Sequence, residues 1–480
     1  MNNENFKTKL QKIKQKRDWS EGILDSLETI ILTGDDYSLF RMNPYRFSSD
    51  YGYDSKEAID LFLYAAKEGI FVMEWLLICI RCGDAANDFR KLDEVHNHYS
   101  CSLCRRDYET SLDNSVKVSF TIHPEIKQIT YHKPENLEIR DFQYKYHFSK
   151  EGRLPKSEIY FNDFFQQMER FLSFIEPYQT IETTFDFENG YLAGNNLLDD
   201  QNFLIEVSNE LNPKPNHLVT IFDSNNVHVS NDKLSKGNYT LSIKNVTNHK
   251  IPVSIYQASP DFLTGYFELE FDPFLTGKSL LNSKTYHEIF KGEDSIGASG
   301  LGIRNTTILF TDLKGSTSLY ERIGDMNAFA LVHQHFDEIS KVISKYSGYL
   351  VKTIGDSIMS SFDNPLDAIK AAKEMMKEID EFNSKQFQRE IVLKIGIHSG
   401  ACIAVTLNER LDYFGQNINI AARVQSQANG DEICVTDIII DYSGVKEELT
   451  SFNIQKEEVS LKGVKEKISI NRITQISNLI

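Results

Sequence analysis

The chain is 480 residues long, carries a net charge of −17, and is 41% hydrophobic and 25% charged. This length exceeds what one hydrophobic core supports, so we expect two to four domains. The acidic balance argues against a protein whose main role is to coat nucleic acid or an anionic membrane. The basic residues among the first 17 positions form only a local patch. Six cysteines are too few for a disulfide scaffold, which favours a cytoplasmic location.

Residues 1–72 have the pattern of short helices packed in series. The clearest helix begins at a capping box from Asp54 to Glu57, continues with apolar residues at helical spacing, and ends at Gly69. This pattern predicts a winged-helix-like module or a plain helical cap. The most apolar stretch, residues 61–80, is interrupted by charged residues, and no apolar run follows the N-terminal basic residues. We therefore expect neither a membrane span nor a signal peptide.

Residues 73–115 carry two Cys-x-x-Cys pairs separated by 18 residues. The four positions are Cys79, Cys82, Cys101 and Cys104. Each pair can form a tight knuckle, and two knuckles close a tetrahedral site, so the spacing predicts a zinc ribbon. A rubredoxin-like iron site and free thiols are the alternatives. Sulfur at every position leaves no open coordination site, which indicates a structural Zn²⁺; His96 and His98 could replace a ligand but are interpreted as surface residues.

The region 116–290 is rich in strand signals, and we predict a β-rich, β-sandwich-like regulatory domain. Its clearest strands are Lys117–Ile122, Tyr239–Ile243 and Val253–Tyr256. Small residues dominate positions 291–302, which predicts a linker. From residue 303 to 480 strands and helices alternate, as expected for a separate domain of mixed α and β structure.

Two aspartates in this last region stand at the ends of strands. Asp312 follows an apolar strand and precedes a small polar loop that leads into a helix. Asp356 lies in the tight turn of a hairpin formed by residues 348–354 and 357–362. A carboxylate for Mg²⁺ beside a helix N-terminus suits a metal-bound polyphosphate. Together the two aspartates predict a two-metal nucleotide site.

Two further elements complete the region. Residues 391–397 and 401–406 predict a second hairpin around Ser399 and Gly400. A strand ending in Asp412 to Phe414 is then broken at Gly415, and a helix follows. Asn419 and Arg423 are four residues apart on this helix, so both project from one face. An amide and a guanidinium aligned in this way suit a ribose oxygen and a phosphate.

Five sequence blocks in this order resemble the catalytic domain of class III nucleotidyl cyclases, the adenylate/guanylate cyclase family. The blocks are FTDLKGST, VKTIGDSIM, LKIGIHSG, DYFGQNINIAARV and LKGVK, within residues 303–475. The resemblance implies a multidomain protein whose C-terminal domain has an α+β, ferredoxin-like fold. The preceding region resembles the zinc-ribbon-containing N-terminal domain fused to some bacterial cyclases, through its cysteines and residues 123–125.

The resemblance also implies a role for each matching residue. Asp312, Leu313 and Asp356 match the positions that hold two Mg²⁺ or Mn²⁺ ions. Lys352 and Asp412 match the pair that selects the base, in which a lysine donates to adenine N1 and a carboxylate accepts from the N6 amine. Guanine would mismatch both contacts.

The remaining positions match groups around the sugar and phosphates. Asn419 would orient the ribose, Arg423 would neutralise the α-phosphate, and Lys462 would hold the leaving pyrophosphate. The backbone after the first strand would cradle phosphates, at Leu313, Lys314, Gly315, Ser316 and Thr317. In this family the metal and base-reading residues of one site come from opposite subunits, so the resemblance implies a homodimer.

The activity implied is that of an intracellular adenylate cyclase, a lyase that converts ATP to 3′,5′-cyclic AMP and pyrophosphate. A guanylate or pyrimidine nucleotide cyclase is one alternative. Another is a nucleotide-binding regulator in which the first 120 residues contact nucleic acid, although the overall acidity argues against nucleic acid as the main partner. No position matched to a catalytic role departs from the family pattern.

Overall fold

A computed structural model describes residues 2–101, 103–104, 106–199, 201–208, 216–260, 268–291, 296–297, 299–385, 391–408 and 410–475, with side chains omitted at 86–88. None of the described helices is long and apolar enough to cross a membrane.

The chain begins with four helices packed around one core. The predicted capping box is confirmed only in its first half, in which the Asp54 side chain accepts a hydrogen bond from the Glu57 N–H at 3.0 Å. The Glu57 carboxylate does not return to the Asp54 N–H, because it accepts from the Ser20 N–H at 2.7 Å and the Ser20 hydroxyl at 2.6 Å. The helix that follows ends at Lys67, two residues before Gly69, whose φ of +72° suits glycine. The four helices are Asn3–Lys14, Ile23–Thr33, Pro44–Tyr51 and Ser55–Lys67.

A three-stranded antiparallel sheet follows the helices. Its central strand, Phe71–Ile78, pairs with Ala85–Phe89 on one side and Val116–Ile122 on the other. The cysteine segment inserts between these strands and contains a hairpin, His98–Cys101 with Arg106–Glu109. The expected domain boundaries at 72/73 and at 115/116 therefore both fall within this one hydrogen-bonded sheet, so the three segments they separate are joined in the structure.

Two facing sheets form a sandwich over residues 169–258. Their inner faces share one buried cluster that includes Leu192 and Ile255 from one sheet and Leu241 from the other. The first sheet has the order Lys233–Ser235, Gln201–Ser208, Gly190–Asn196, Ile251–Ala258, Glu169–Ile175. The second has the order Val227–Val229, His217–Phe222, Gly237–Asn245, Thr180–Phe187.

Short elements connect the sandwich to the rest of the chain. The strands Gly152–Arg153 and Glu270–Phe271 pair with each other. The short helices include Thr130–His132, Pro134–Asn136, Ile139–Asp141, Phe142–Tyr146, Phe161–Met168, Gly277–Leu281 and Lys284–Ile289. A further short turn of 3₁₀ helix, Leu92–Glu94, precedes the cysteine hairpin.

The C-terminal domain is built on an eight-stranded sheet with α+β composition. Seven strands follow one another in the order Tyr349–Ile354, Ser357–Phe362, Leu301–Leu313, Leu393–Leu407, Glu432–Thr436, Ile468–Gln475, Phe452–Val459. The eighth strand, Arg410–Phe414, lies off this path and pairs with Leu393–Leu407. Its helices are Ser316–Ile323, Asp325–Lys345, Pro365–Ser384, Gln416–Ser426, Asp437–Ile440 and Val445–Glu448. We call Leu301–Leu313 the central strand and Gln416–Ser426 the site helix.

The hairpin predicted around Ser399 and Gly400 is wrong. Residues 393–407 form one continuous strand, in which Ser399 and Gly400 pair in register with the central strand. The glycines serve close packing instead of turns. A Cβ atom at Gly396 would lie 2.2 Å from the Gln425 backbone, and one at Gly400 would lie 2.4 Å from the Asn417 side chain, so they let the site helix approach the sheet.

The two faces of this sheet are covered differently. One face packs on the long helices Asp325–Lys345 and Pro365–Ser384. The other face contributes Phe310 and Met359 to the same buried cluster as Tyr286 of the N-terminal region. The central strand begins at Leu301, inside the expected linker, so the N-terminal region packs directly on the C-terminal domain.

Candidate active site

The structure brings Asp312 and the turn containing Asp356 to the same end of neighbouring strands. The predicted hairpin is confirmed as Tyr349–Ile354 and Ser357–Phe362, joined through a turn at residues 355–356. Ser357, directly after Asp356, donates its hydroxyl to Asp312 Oδ1 at 2.7 Å. Backbone pairing between the central strand and the second strand of the hairpin sets this juxtaposition.

The two carboxylates differ in their partners. Asp312 Oδ2 forms an ion pair with Lys394 Nζ at 3.2 Å, and both side chains are less than one-third exposed, at 27% and 18%. Asp356 Oδ2 is buried and has no hydrogen-bond partner among the described residues. A buried carboxylate oxygen without a partner is costly unless a cation or a donor completes its shell, so this arrangement fits a divalent cation.

The helix expected after Asp312 begins at Ser316 and has no side-chain cap. Its Ncap residue is Gly315, with a φ of +74° and open space around the position of a Cβ atom. The first turn, including Ser316 and Thr317, therefore presents backbone donors that no capping side chain satisfies. The Lys314 N–H is different, because it donates to the Val392 carbonyl at 2.9 Å. Leu313 is buried in the core of the domain.

Lys352 and Asp412 lie side by side although they are 60 positions apart. The Lys352 ammonium is 2.8 Å from Asp412 Oδ1 and 2.6 Å from Oδ2. The lysine side chain is 40% exposed and the aspartate side chain 15% exposed. Asp412 Oδ1 also accepts the Tyr413 N–H at 2.8 Å, which fixes the orientation of the carboxylate.

Asn419 and Arg423 stand on the site helix as the four-residue spacing predicts. Asn419 is exposed, and its amide reaches only the Gly415 carbonyl at 3.5 Å. The Arg423 guanidinium lies close to the loop that contains Lys462. A Cβ atom placed on the neighbouring Gly463 would be only 3.3 Å from Arg423 Nη2. Asn419, Arg423 and Lys462 stand apart from the two aspartates. Within the described residues, no hydrogen bond or ion pair joins any of these three side chains to Asp312 or Asp356.

The four cysteines of the N-terminal region converge on one point. Their sulfur atoms lie within 4.8 Å of one another, with Cys79 and Cys104 separated by 3.6 Å and Cys82 and Cys101 by 3.5 Å. A tetrahedral Zn²⁺ with Zn–S bonds of about 2.3 Å places its sulfurs about 3.8 Å apart, so these positions fit the ion.

Other groups near the cluster do not enlarge it. His96 and His98 are exposed and lie outside the group of candidate ligands found among the described residues. The Cys104 N–H donates to the Cys101 sulfur at 3.4 Å, a contact within the second Cys-x-x-Cys pair. Cys402 and Cys434 are buried elsewhere, and burial raises the pKa of each thiol to about 12.

Comparison with known proteins divides the chain into the same two parts. A family model described as "Family of unknown function (DUF5939)" matches residues 3–288, more than half of the chain. The chain belongs to this family. A second model, "Adenylate and Guanylate cyclase catalytic domain", matches residues 302–474. The DUF5939 region thus contains the cysteine cluster, and the nucleotidyl cyclase domain contains all the other candidate site residues.

Individual relatives match over the cyclase domain. An "Adenylate cyclase" of Anabaena cylindrica is 29% identical over 198 residues, which cover 38% of this chain and 39% of the relative. The "Receptor-type adenylate cyclase ESAG 4" of Trypanosoma brucei brucei is 26% identical over 211 residues, which cover 36% of this chain and 17% of the relative. The chain thus spans well under half the length of either relative.

Solved cyclase structures align over a similar share of the chain. The adenylyl cyclase CyaB from P. aeruginosa aligns at 20% identity with a TM-score of 0.32, covering 37% of this chain and 97% of that one. An adenylate cyclase from Trypanosoma brucei aligns at 25% identity with a TM-score of 0.30, covering 35% of this chain and 89% of that one.

Sequence reasoning missed two side chains that contact Asp312. Ser357 follows the aspartate of the hairpin turn, and its position in that turn was a usable signal. Lys394 is the one basic residue in the apolar run Ile391–Ile397, and a lysine in such a run indicates a buried or partnered charge. Its partner is visible only from strand register, in which Lys394 stands opposite Asp312.

Proposed function

We propose that this DUF5939 protein is an adenylate cyclase that converts ATP to 3′,5′-cyclic AMP and pyrophosphate at sites shared by two copies of the chain. The observation that carries the proposal is the contact between Lys352 and Asp412 inside a nucleotidyl cyclase domain. The names of the adenylate cyclase relatives support the same substrate.

The paired charges suit adenine. An ammonium donates to adenine N1, and a carboxylate accepts from the exocyclic N6 amine, whereas guanine presents a proton at N1 and an acceptor at O6. Asp412 keeps its orientation through the Tyr413 N–H when Lys352 turns to the base. Each mismatched contact of guanine would leave a polar group without a partner, which is the basis of strong discrimination.

Asp312 and Asp356 are the proposed ligands of two divalent cations, together with the backbone of Leu313. Two features fit this role: the buried Asp356 Oδ2, which has no hydrogen-bond partner in the described part of the chain, and the end-of-strand position of Asp312. When bound, Mg²⁺ or Mn²⁺ would supply Lewis acidity toward the ribose 3′-hydroxyl and neutralise triphosphate charge. Lys394 neutralises Asp312 in the free chain, and its ammonium would turn away when a cation binds.

Three further residues act on the rest of the substrate. Asn419 would hold the ribose, Arg423 would stabilise charge that develops on the α-phosphate, and Lys462 would bind the pyrophosphate. The first turn at Ser316 and Thr317 would donate backbone N–H groups to the phosphates.

The distribution of these groups is compatible with the proposed shared sites. Within the described residues no polar contact links Arg423 or Lys462 to Asp312 or Asp356. A second copy that offers its aspartates to the first copy's site helix would complete one site, and two-fold symmetry would create a second. The Cys79 cluster would hold a structural Zn²⁺ in the DUF5939 region.

The test is turnover of single nucleotides by the purified full-length chain. ATP, GTP, CTP and UTP are incubated separately with Mg²⁺ or Mn²⁺, and products are identified by mass. Cyclic AMP and pyrophosphate from ATP alone is the expected result. Another cyclic nucleotide would refute the roles of Lys352 and Asp412, and intact nucleotides from residues 300–480 as well as from the full chain would refute catalysis.

A further inference from the structure

A cavity of about 320 Å³ lies between the N-terminal helices and the cyclase domain. Lys56 and Asp60 line it from the helix Ser55–Lys67, while Ser344 and Asp363 line it from the cyclase domain. We propose that this cavity binds a small organic cation and that its occupancy changes the affinity for ATP through Asn282. The binding half of this proposal, that the cavity takes a cation, is independent of the proposed enzyme activity. The coupling half, that occupancy changes the affinity for ATP, rests on the proposed adenylate cyclase activity.

The charge balance of the lining favours a cation. Asp60 is matched by Arg17, whose Nη1 lies 2.5 Å from its Oδ2, and Lys284 is matched by Glu288 at 3.6 Å. Asp363 and Asp367 line the cyclase side, and neither carboxylate has an ion-pair partner within the described residues.

The same lining disfavours an anion. Lys56 lines the cavity, but its ammonium already donates to the Ser344 carbonyl. Burial lowers the pKa of Lys56, and burial raises the pKa of Asp60. Both directions mean that the cavity is poorly solvated, so an ion of either sign needs a partner of opposite charge there. The carboxylates of Asp363 and Asp367 offer that partner to a cation. The remaining lining groups are mainly hydroxyls and amides, which suit a ligand that also forms hydrogen bonds.

Asn282 connects the cavity to the base-reading pair. It is 3% exposed and lines the cavity, and its Nδ2 donates to Asp363 Oδ1 at 2.6 Å. A carboxylate only accepts, so Asn282 Oδ1 must face the other side, where it accepts from Ser361 at 2.6 Å and lies 3.5 Å from the Tyr413 hydroxyl. The Tyr413 N–H in turn holds Asp412.

A cation that draws the Asp363 carboxylate toward itself weakens its hold on the Asn282 amide. Asn282 then shifts relative to Ser361 and Tyr413, and the position of Asp412 follows. Asn282 and Tyr413 are both almost fully buried, and closely packed side chains transmit such displacements because each one has few alternative arrangements.

Calorimetric titration of the full-length chain with putrescine (1,4-diaminobutane) tests the binding half. We expect one site per chain, about tenfold weaker binding in Asp363→Asn because one charge-assisted contact is lost, and no change in Asp325→Asn. Asp325 is a suitable control, since like Asp363 it lies near the N-terminal end of a helix of the cyclase domain, but it is not in the cavity. Equal heats from 1,4-butanediol, competition by MgCl₂ at matched ionic strength, or undiminished binding by Asp363→Asn would overturn the proposal.

The KM for ATP, measured with and without putrescine, tests the coupling half. We expect a change of about fivefold or more in the wild-type chain, as for ordinary coupling between sites. The change should disappear in Asn282→Leu and in Tyr413→Phe, which keeps the ring and removes only the hydroxyl, while both variants still bind putrescine in the calorimeter. An unaltered KM in the wild-type chain, or a putrescine effect that survives both substitutions, would refute coupling. Because calorimetry requires no turnover, an inactive preparation would count against the proposed function and not against the binding site.

Discussion

Exchanging the base-reading pair should change the preferred nucleotide. In the double variant Lys352→Glu/Asp412→Cys, position 352 becomes an acceptor for the guanine N1 and N2 protons, and position 412 offers a thiol to O6. Both positions must change together, because the Lys352 ammonium lies within 2.8 Å of both Asp412 oxygens. A glutamate at 352 beside an unchanged Asp412 would oppose two carboxylates and disfavour the ionised site.

The geometry sets the size of the effect. Each lost or mismatched contact to the adenine edge removes a charge-assisted hydrogen bond, which corresponds to about 10- to 100-fold in kcat/KM. Two mismatches together should lower kcat/KM for ATP by at least about 100-fold. The effect on folding should be small, below about 1 kcal/mol, because the Lys352 side chain is 40% exposed and solvent screens the ion pair.

The assay is kcat/KM for ATP and for GTP in parallel, with thermal melting as the check on folding. The expected result is a GTP-to-ATP ratio reversed relative to the wild-type chain at a nearly unchanged melting temperature. Lys373→Glu is a suitable control, because Lys373 also pairs with a half-buried carboxylate, Glu448, but lies on another face of the domain. An unchanged ratio in a folded double variant would show that other residues read the base.

Three further outcomes follow from the structure. Mixing Asp312→Ala with Arg423→Ala chains in equal amounts should restore about a quarter of wild-type activity, since half of the dimers are mixed and each has one complete site; no recovery despite measured subunit exchange would contradict shared sites. The wild-type chain should contain about one zinc ion, measured by elemental mass spectrometry, and Cys104→Ser should lose most of it and melt at a lower temperature than Cys434→Ser. Equal zinc content in the two variants would contradict a zinc site at the cluster. Burial lowers the pKa of His335 to about 4, so the unfolded chain binds a proton that the folded chain does not between pH 6.5 and about 4. Stability should therefore fall as pH drops through this window, by up to about 1.4 kcal/mol per pH unit, and the loss should shrink in His335→Leu when melting temperatures are compared at pH 7 and pH 5.

Local signals predicted the parts of the site that short segments determine. The turn at Asp356 requires only two adjacent residues, and the helix cap at Asp54 requires four, so both could be predicted from the sequence. The strand that ends near Asp312 and the helix after Gly315 are also local features. In each case the covalent chain itself holds the interacting groups within one turn, and tertiary structure adds little information.

Other features depend on register between distant strands, which no short segment encodes. Lys394 reaches Asp312 only because the two strands pair with those residues opposite each other. The false hairpin at Ser399 has the same origin. Glycine there was interpreted as a turn residue, whereas the strand stays extended and Gly400 instead admits Asn417 of the site helix. A glycine required by a neighbour's backbone or side chain looks the same in sequence as one required by a turn.

The join between the two regions changes how a regulatory signal can reach the active site. Asp113 of the N-terminal region accepts the N–H groups of Arg304 and Asn305 at 3.1 and 3.0 Å, where the register of the central strand breaks. The same strand ends beside Asp312 and spans about 26 Å from residue 304 at 3.3 Å per residue. A strand paired on both sides does not bend independently of its neighbours. Motion of the N-terminal region must therefore shift the strand as a unit or break its contacts with Asp113, rather than pass along a flexible tether.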